Sequence, residues 1–307
     1  MTQGHEALLA ELRPSTFAIA YRMLGSVAEA EDVVQETLLR VHRSLEEGPP
    51  LASPRAFAAT VATRLAIDGL RSARARRERY TGEWLPEPIV TDSEDDPARH
   101  AEMADSLSMA FLVLLERLSP EQRAVLLLRD VFDYGYGEIA GVVGKSEANV
   151  RQLAARARRH VEEQGPRFET SREQRDELAQ RFFAAAEDGD LGALEALLAH
   201  DVELHGDGGG KAPALARALR GRTSVARALM AWVRLGRRDP GAHIRQVEVN
   251  GQPGGLVLDG SGAVLGVMAL DVAGGRITAV RSVVNPDKLA HLGEVGDMRA
   301  LLSRRAE

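Results

Sequence analysis

The chain has 307 residues, with 45 acidic and 39 basic side chains and a formal net charge of −6. This length predicts two or three domains, and the lack of cysteine excludes disulfides and thiolate metal sites. The chain contains no run of about 18 apolar residues, and Met1–Arg13 lacks a signal-peptide pattern, so we expect a cytoplasmic protein without membrane contact. We also expect no metal and no cofactor.

The first predicted helix begins at Ala28, where apolar residues recur at steps of three and four. They are Ala30, Val33, Val34, Leu38, Val41 and Leu45. The opposite face carries Glu29, Asp32, Gln35 and Glu36 on adjacent turns. A polar face needs no function, but this group of acidic and amide side chains also suits docking of a basic partner helix.

A second predicted helix begins near Pro54 and ends in a run of arginines. Its apolar stripe is Phe57, Val61, Leu65 and Leu70, and its basic run is Arg71, Arg74, Arg76, Arg77 and Arg79. Together with the aromatic rings of Phe57, Tyr80 and Trp84, this charge is typical of a surface that binds single-stranded DNA. A solvated helix face is the alternative interpretation.

The segment from residue 83 to residue 102 holds seven carboxylates and one arginine. Pro86, Pro88 and Pro97 within it predict an extended linker between two helical domains. Charge is therefore segregated along the chain. Local basic patches, rather than the net charge, decide whether DNA phosphates are bound.

Residues 119–161 predict three short helices, of which the last two form a helix-turn-helix. Ser119 and Gln122 have the spacing of a capping box, and Gly144 supplies a left-handed residue to end the second helix. Ser146 caps the third helix. That helix has an apolar face of Val150, Leu153 and Ala157, and its other surfaces carry Asn149, Arg151, Gln152, Arg156, Arg158 and Arg159. Such a basic amphipathic helix is typical of a major-groove reader, although similar hairpins occur in plain helical bundles.

The last part of the chain predicts a separate α+β domain. Two helices are expected over residues 172–200, with a break at residues 188–190, and another over residues 223–235. The apolar period then changes to two. The segments concerned are 243–249, 255–260, 263–272 and 276–284, which predict a curved antiparallel sheet with a hairpin at Gly274-Gly275.

These motifs together resemble one family. Residues 32–36 (DVVQE), 65–71 (LAIDGLR) and 149–158 (NVRQLAARAR) look like the bacterial sigma-70 family of RNA polymerase initiation factors, specifically its small extracytoplasmic-function group. The C-terminal part resembles the SnoaL-like members of the NTF2-like superfamily, which are cone-shaped α+β barrels around an apolar pocket. The resemblance implies a multidomain protein with two all-α sigma domains and one such barrel. Its parts are region 2 at 8–82, an acidic linker at 83–104, region 4 at 105–165 and the SnoaL-like domain at 172–292.

The resemblance also implies that the protein binds core RNA polymerase and promoter DNA and initiates transcription. Core-polymerase contacts would fall on Asp32, Gln35 and Glu36. The −10-like element would be bound by Phe57, Asp68, Arg71, Arg74, Arg76 and Arg77, although many members carry Trp where Phe57 stands. The −35-like element would be read by Ser146, Asn149, Arg151, Gln152 and Arg156. Asn and Gln side chains can read adenine, and Arg can read guanine.

Three short motifs resemble the signatures of the subgroup that carries a fused SnoaL-like domain. They are WLPEP (Trp84 to Pro88), DGGGK (Asp207 to Lys211) and NPDKL (Asn285 to Leu289). The resemblance implies regulation in cis through contacts of Trp84, Glu87, Asp207, Lys211, Asn285, Pro286, Asp287, Lys288 and Leu289. We expect Trp84 to bury its ring against the NPDKL end, and Lys211 to pair with Glu87 or another linker carboxylate.

Two other functions stay open on the sequence. A DNA-binding regulator with a ligand-sensing barrel would explain the helix-turn-helix but not the docking face around Asp32. A cyclase or isomerase activity has His205, Asp207, His243 and Asp271 as candidates by type, but their spacing enforces no acid–base geometry, and strand alternation turns His205 toward solvent. We therefore predict no catalytic residue, while binding of a small molecule in the barrel without turnover stays open.

Overall fold

The computed structural model describes residues 3–47, 51–77, 80–91, 107–164 and 171–303. The chain divides into two compact units: Met1–Glu78 with Leu112–Gly165, and Arg79–Phe111 with Pro166–Glu307. Residues 80–91, which the sequence assigned to the end of region 2 and to the linker, therefore belong to the C-terminal unit. Within the described ranges, no helix is both long and apolar enough to cross a membrane.

The first unit begins with three long helices, α1 (Gln3–Leu24), α2 (Val27–Glu47) and α3 (Pro54–Arg77). The predicted stripe of α2 faces the interior: Ala30, Val33, Val34 and Val41 are buried, and Leu38 and Leu45 pack partly buried beside them. Each helix covers its neighbours' apolar face, so removal of this surface from water holds the three helices together.

The chain continues with shorter helices, α4 (Met109–Leu115), α5 (Pro120–Leu126), α6 (Tyr136–Val143) and α7 (Glu147–Gln164), and a π-turn over Leu127–Val131 extends α5. The capping box is present: Ser119 Oγ accepts from Gln122 N at 3.2 Å, and Gln122 Oε1 accepts from Ser119 N at 3.0 Å. Gly144 ends α6 with φ 65°, as predicted. A small core around Ile139 and Val150 holds these helices together.

Two arginines are buried inside this first unit. Arg22 on α1 and Arg123 on α5 are each only 1% exposed. Arg123 Nε donates to the carbonyl oxygen of Arg22 at 3.0 Å, and its Nη1 pairs with Glu116. Burial lowers the pKa of Arg22 to about 10 and that of Arg123 to about 9. Charged groups thus connect α1 to α5 at a cost in desolvation.

The second unit packs helices against a sheet that has seven strands in the described part of the chain. Its helices are α8 (Arg172–Asp188), α9 (Leu191–Leu197), α10 (Arg222–Gly236), α11 (Pro286–Leu289) and α12 (Met298–Ser303). In sheet order its strands are β1 (Val90–Thr91), β4 (His243–Val249), β5 (Gln252–Leu258), β6 (Val264–Ala273), β7 (Arg276–Val283), β2 (Leu198–Asp207) and β3 (Leu219–Arg220).

The sheet is mixed, which corrects the prediction of an antiparallel sheet. β2 and β7 pair in parallel, whereas the other neighbours are antiparallel. Parallel partners are joined by long crossovers, so no local turn signal in the sequence marks them. The second C-terminal helix also ends earlier than residue 200, because the chain enters β2 at Leu198. The hairpin at Gly274-Gly275 is present, with both residues at positive φ.

The core of the second unit lies between its helices and one face of the sheet. Phe182 and Phe183 of α8 meet edge to face, 5.3 Å apart between ring centroids, and pack with residues of α10, β2, β6 and β7. Register shifts interrupt the pairing of β2 with β7, β5 with β6 and β6 with β7, and such bulges bend a sheet. This unit extends past residue 292, because Val295 bridges Val264 and Leu301 is buried.

Candidate functional site

The predicted recognition helix α7 presents a polar face from its first turn. Ser146 Oγ caps it by accepting from the backbone N–H of Asn149 at 3.3 Å. Val150, Ala154 and Ala157 are buried against the unit. The predicted −35 residues are all exposed: Ser146, Asn149, Arg151, Gln152 and Arg156. The structure therefore brings these five side chains onto one accessible surface of the helix.

Two arginines of α7 are fixed by neighbouring side chains. The Arg151 guanidinium lies 4.5 Å from the centroid of the Tyr136 ring and pairs with Glu147. Arg158 Nε donates to Asp130 at 2.9 Å, and this carboxylate raises the pKa of Arg158 above its ordinary value. Stacking on an aromatic ring restricts the rotamers of Arg151, which favours a defined position at the helix surface.

The predicted polymerase-docking face of α2 is accessible. Asp32 and Gln35 are exposed, and Glu36 is half-buried and accepts from Arg40 Nε at 2.7 Å. Leu39 lies on the same face and is 49% exposed. We missed Leu39 in the sequence, where it looks like one more core position beside Leu38. Leu39 follows Gln35 by four residues, which places it on the polar face of the helix, and this spacing could have identified it.

The predicted −10 residues of α3 divide into three groups. Phe57 is half-buried in a cluster with Leu12, Val41 and Ala58. Asp68 and Arg71 are exposed. The side chains of Arg74, Arg76 and Arg77 lie outside the described residues, although their backbone is helical.

Arg71 contacts a second helix of the first unit. It donates to Glu121 at 2.7 Å and to Asp68 at 3.1 Å, and the hydrogen bond to Glu121 is the main cause of its raised pKa. The neighbouring Arg64 donates to two carbonyl oxygens at the end of α6, Val142 at 2.9 Å and Gly141 at 2.8 Å. The helices α3, α5 and α6, from the parts of the chain that carry the predicted −10 and −35 residues, are therefore packed together in the first unit.

The three short motifs meet at Asp207, the last residue of β2. This carboxylate is fully buried. It accepts from Tyr80 Oη at 2.6 Å, from the backbone N–H of Leu85 at 2.8 Å and from Lys288 Nζ at 2.7 Å. We call Tyr80, Trp84, Asp207, Asn285 and Lys288 the motif cluster. It joins WLPEP, DGGGK and NPDKL within the second unit.

The aromatic residues of the motif cluster surround the buried ammonium group. Lys288 Nζ lies 4.3 Å from the Trp84 ring and 5.0 Å from the Tyr80 ring, and it also bonds the Leu85 carbonyl. Asn285 Nδ2 donates to Tyr80 Oη at 2.8 Å. Burial, followed by the bond to Asp207, raises the pKa of Tyr80. Tyr80 and Trp84, which the sequence analysis grouped with Phe57 in one stacking surface, thus contact the motif cluster within the second unit.

The DGGGK loop passes close to the other motifs. Gly209 has φ +58°, and a side chain there would collide with Asn285 and Tyr80. The expected pairing of Lys211 with a linker carboxylate such as Glu87 is wrong, because its Nζ donates to both oxygens of Asp287, at 2.8 and 2.6 Å. The turn directs Lys211 toward the start of α11, which begins at Pro286. Leu289 at the end of α11 is buried and Glu87 is half-buried.

The catalytic candidates are not assembled into one site. His205 is buried, not solvent-facing as expected: its Nδ1 lies 2.6 Å from Glu83 and its Nε2 3.0 Å from Glu203. Asp271 accepts from Arg281 at 2.9 Å. Asp207 belongs to the motif cluster and His243 is exposed. Of the four candidates, only His243 lines the large apolar cavity of the second unit.

A cavity of about 620 Å³ lies within the second unit. Phe182, Trp232, Ile244, Val257 and Met268 are among its mainly apolar lining residues. Three ionisable side chains also line it, namely Glu187, Arg237 and His243, and all three are exposed. The cavity therefore has an apolar interior and a charged opening.

The architecture and these surfaces define a class of protein: a helix-turn-helix protein of the DNA-binding type with an exposed polar face on α2 and an attached α+β domain. Residues 8–76 match sigma-70 region 2, and residues 108–161 match sigma-70 region 4. The chain belongs to the extracytoplasmic-function (ECF) RNA polymerase sigma factors of the sigma-70 family.

Relatives in this family are similar over nearly the whole chain. ECF RNA polymerase sigma factor SigJ of Mycobacterium tuberculosis is 40% identical over 287 residues, with 90% of each chain covered. A probable ECF sigma factor of the same species, SigI, is 31% identical over 94% of this chain and 93% of its own. The crystal structure of SigJ aligns with a TM-score of 0.74 at 36% identity, over 93% of this chain and 98% of that one.

The family defines the function: the chain is a sigma factor for transcription initiation. The predicted family is confirmed, and so is the fold class in its coarser form, with helical sigma regions followed by an α+β domain. No finding favours the alternative of a ligand-sensing repressor or activator.

Proposed function

We propose that this sigma factor is modulated in cis by its C-terminal domain, through the motif cluster. The observation that carries the proposal is the buried Asp207 carboxylate, which accepts from Tyr80, Leu85 and Lys288 at once. The first two partners lie directly after region 2 in the chain. Their attachment to the C-terminal domain therefore restricts the segment that connects the two sigma regions.

The residue roles in this proposal follow the exposed surfaces. Asp32, Gln35, Glu36 and Leu39 contact core RNA polymerase, with Leu39 supplying apolar area inside a polar rim. The −35 element is read by α7 through Ser146, Asn149, Arg151, Gln152 and Arg156. The −10 element is bound through Asp68 and the arginines 71, 74, 76 and 77, while Phe57 supports that helix from the core. As an RNA polymerase subunit, the protein works in the cytoplasm.

The C-terminal domain acts by binding and not by catalysis in this proposal. General acid–base chemistry needs a titratable group within reach of a bound substrate. Of the four candidates, only His243 lines the cavity, and it does so at the exposed opening. The large apolar cavity instead favours the binding of a small molecule.

The test of cis modulation is promoter-dependent run-off transcription with core RNA polymerase on a supercoiled template. Lys288→Met keeps the length of the side chain but removes its bond to Asp207, and Trp84→Ala removes the adjacent ring. Both variants should change the transcript yield while core binding is retained, because the α2 face is untouched. Lys211→Met is the matched control and should behave as the wild type. It breaks an exposed ion pair, in which the side chains of Lys211 and Asp287 are 57% and 60% accessible.

Deletion from Asn285 onward extends the same test. It removes Asn285 and Lys288 together, so it should reproduce the direction of the Lys288→Met effect. The proposal is wrong if the deletion, Lys288→Met, Trp84→Ala and wild-type proteins, matched in concentration and folded by circular dichroism, give equal transcript yields.

A further inference from the structure

We propose that the cavity of the C-terminal domain is an effector site for a largely apolar carboxylic acid, and that its occupancy alters the motif cluster. The proposal rests on the cis modulation proposed above, and it adds the chemical class of the signal. Three features carry it: the size and lining of the cavity, the charges at its opening, and the strand ends that it shares with the motif cluster.

The size and lining select an apolar body for the ligand. A volume of about 620 Å³ lies within the range of roughly 300–1,000 Å³ of small-molecule sites. Phe182 and Phe183 on α8, Trp232 on α10 and Met268 on β6 surround the interior. An apolar cavity gives water few hydrogen-bonding partners, so an apolar molecule replaces water there favourably.

The charged side chains at the cavity opening favour a ligand with an acidic head group. Arg237 presents a planar fork of donors at the cavity surface, of which Nη2 already donates to the carbonyl oxygen of Glu187 at 2.5 Å. His243 stands nearby, with Nδ1 2.9 Å from the carbonyl oxygen of Gly241. A ligand carboxylate can bond the other N–H groups of the Arg237 guanidinium, and the Glu187 carboxylate would repel any further anionic group on the ligand, so the site suits a ligand with a single carboxylate.

The cavity and the motif cluster use opposite faces of the same strand ends. Gly206 lines the cavity, and the next residue, Asp207, is the centre of the cluster. Val284 likewise lines the cavity and precedes Asn285. Successive residues of an extended chain point to opposite sides. The two segments are also joined, because Val284 N and Asn285 N donate to the Asp207 carbonyl oxygen at 2.8 and 3.0 Å.

The last described helix provides a second connection. Met298, Leu301 and Leu302 of α12 form part of the cavity wall. On the same helix, Arg299 donates to the carbonyl oxygen of Gly210 in the DGGGK loop at 3.0 Å. A ligand that displaces this wall therefore moves a hydrogen-bonding partner of the loop that follows Asp207.

Tryptophan fluorescence can follow the cavity and the motif cluster separately, because the chain has two tryptophans and each of the two sites contains one. Trp232 lines the cavity and Trp84 belongs to the motif cluster. In the full-length Trp84→Phe variant, the emission of Trp232 should change on titration with decanoic acid. In the Trp232→Phe variant, the emission of Trp84 should change over the same concentration range.

The head group is tested with decanol and decylamine, which share the same chain. Decanoic acid should bind about tenfold more tightly than either, because a charge-assisted hydrogen bond is lost with the others. Arg237→Gln should abolish this preference. Arg238→Gln is the matched control, since the neighbouring Arg238 does not line the cavity.

Each part of the proposal fails on its own outcome. An unchanged Trp232 emission up to the solubility limit of the acid overturns the binding site. Equal affinities for the three probes overturn the acidic head group, and a response of Trp232 without one of Trp84 overturns the coupling. These readouts need no transcription. A failure of cis modulation would instead appear as equal transcript yields for Lys288→Met and wild type.

Discussion

At the scale of single residues, Asp207 is the position where a small change has the largest expected effect. Its carboxylate is fully buried, and it neutralises Lys288, which is only 6% exposed. Three donors from two distant segments converge on it. A buried ion pair adds little net stability compared with an apolar pair, but removal of one partner leaves a charge without compensation.

Asp207→Asn should therefore lower the free energy of unfolding of the C-terminal unit by about 3–5 kcal/mol. The substitution is nearly isosteric, so the loss reflects the charge of Lys288 and not a cavity. Urea unfolding followed by Trp84 fluorescence measures it. Asp287→Asn breaks an exposed pair with Lys211, and about 1 kcal/mol or less should be lost. Equal losses for both variants would contradict the role of Asp207.

Tyr80 predicts a stability change at alkaline pH. Burial raises its pKa in the folded protein, so an unfolded chain ionises first, near pH 10. The stability that the protonated Tyr80 hydroxyl gives to the folded protein is therefore fully present below about pH 10. Above it the unfolded state holds fewer protons than the folded state, and stability should fall by up to about 1.4 kcal/mol per pH unit. Tyr80→Phe should show a shallower decline between about pH 10 and 11 in the same urea experiment; identical slopes would exclude this assignment.

At the scale of single elements, the sequence predicted what depends on neighbours along the chain. The capping box at Ser119, the stop at Gly144 and the two apolar periods located α2, α3, α5 to α10 and four of the strands, whereas α1, α4, α11 and α12 were not predicted. The parallel pairing of β2 with β7 was missed, because it is set by packing across a long crossover. The partner of Lys211 was also missed, since the glycine turn brings it to Asp287 and spacing alone does not encode that direction. Leu39 was overlooked although its step of four from Gln35 places it on the polar face of the helix.

For the proposed recognition helix α7, we expect base reading and phosphate binding to fall on different residues. Arg151→Ala should change the ranking of a panel of −35 sequences, because Arg151 is held on the Tyr136 ring near the start of the helix. Arg159→Ala should weaken binding to all sequences by a similar factor and reduce its salt dependence. Filter binding at several salt concentrations measures both effects. A uniform change for both variants would remove Arg151 from base reading.

The exposed face of α2 gives a prediction for polymerase binding. Asp32→Ala combined with Gln35→Ala should lower the affinity for core polymerase about tenfold or more, since each lost polar contact costs on the order of 1 kcal/mol. Leu39→Asp should have a comparable effect, whereas Leu39→Met keeps the apolar contact and should bind normally. Competition with a labelled sigma factor measures the affinity. Unchanged affinity of the double variant would exclude α2 as the docking helix.

At the scale of the whole molecule, we expect the two sigma regions of the first unit to separate when both proposed DNA surfaces are used. Promoter elements about 25 base pairs apart are separated by roughly 85 Å at 3.4 Å per pair. The longest helix of the unit, α3, has 24 residues and spans only about 36 Å. Arg64 and Arg71 nevertheless connect this helix to α6 and α5. We therefore expect promoter binding to separate the two regions.

Weaker packing between the regions should favour the separated form. Arg64→Ala removes two hydrogen bonds to α6, so the radius of gyration of the free protein should increase in small-angle X-ray scattering. Core polymerase should then bind up to about tenfold more tightly, since less packing has to be undone. Glu11→Ala, at an exposed side chain of α1, is the control. A compact Arg64→Ala protein with unchanged affinity would refute this view.

The parallel pairing of β2 with β7 has a consequence for the timing of synthesis. The sigma regions leave the ribosome well before β7 and Lys288 exist, and at typical elongation rates this delay is on the order of ten seconds. During that interval Asp207 has no lysine partner, and the segment around Trp84 has no NPDKL end to contact. Each newly made copy therefore passes through a short period in which its sigma regions are already complete in sequence while the contacts proposed to regulate them have yet to be synthesised.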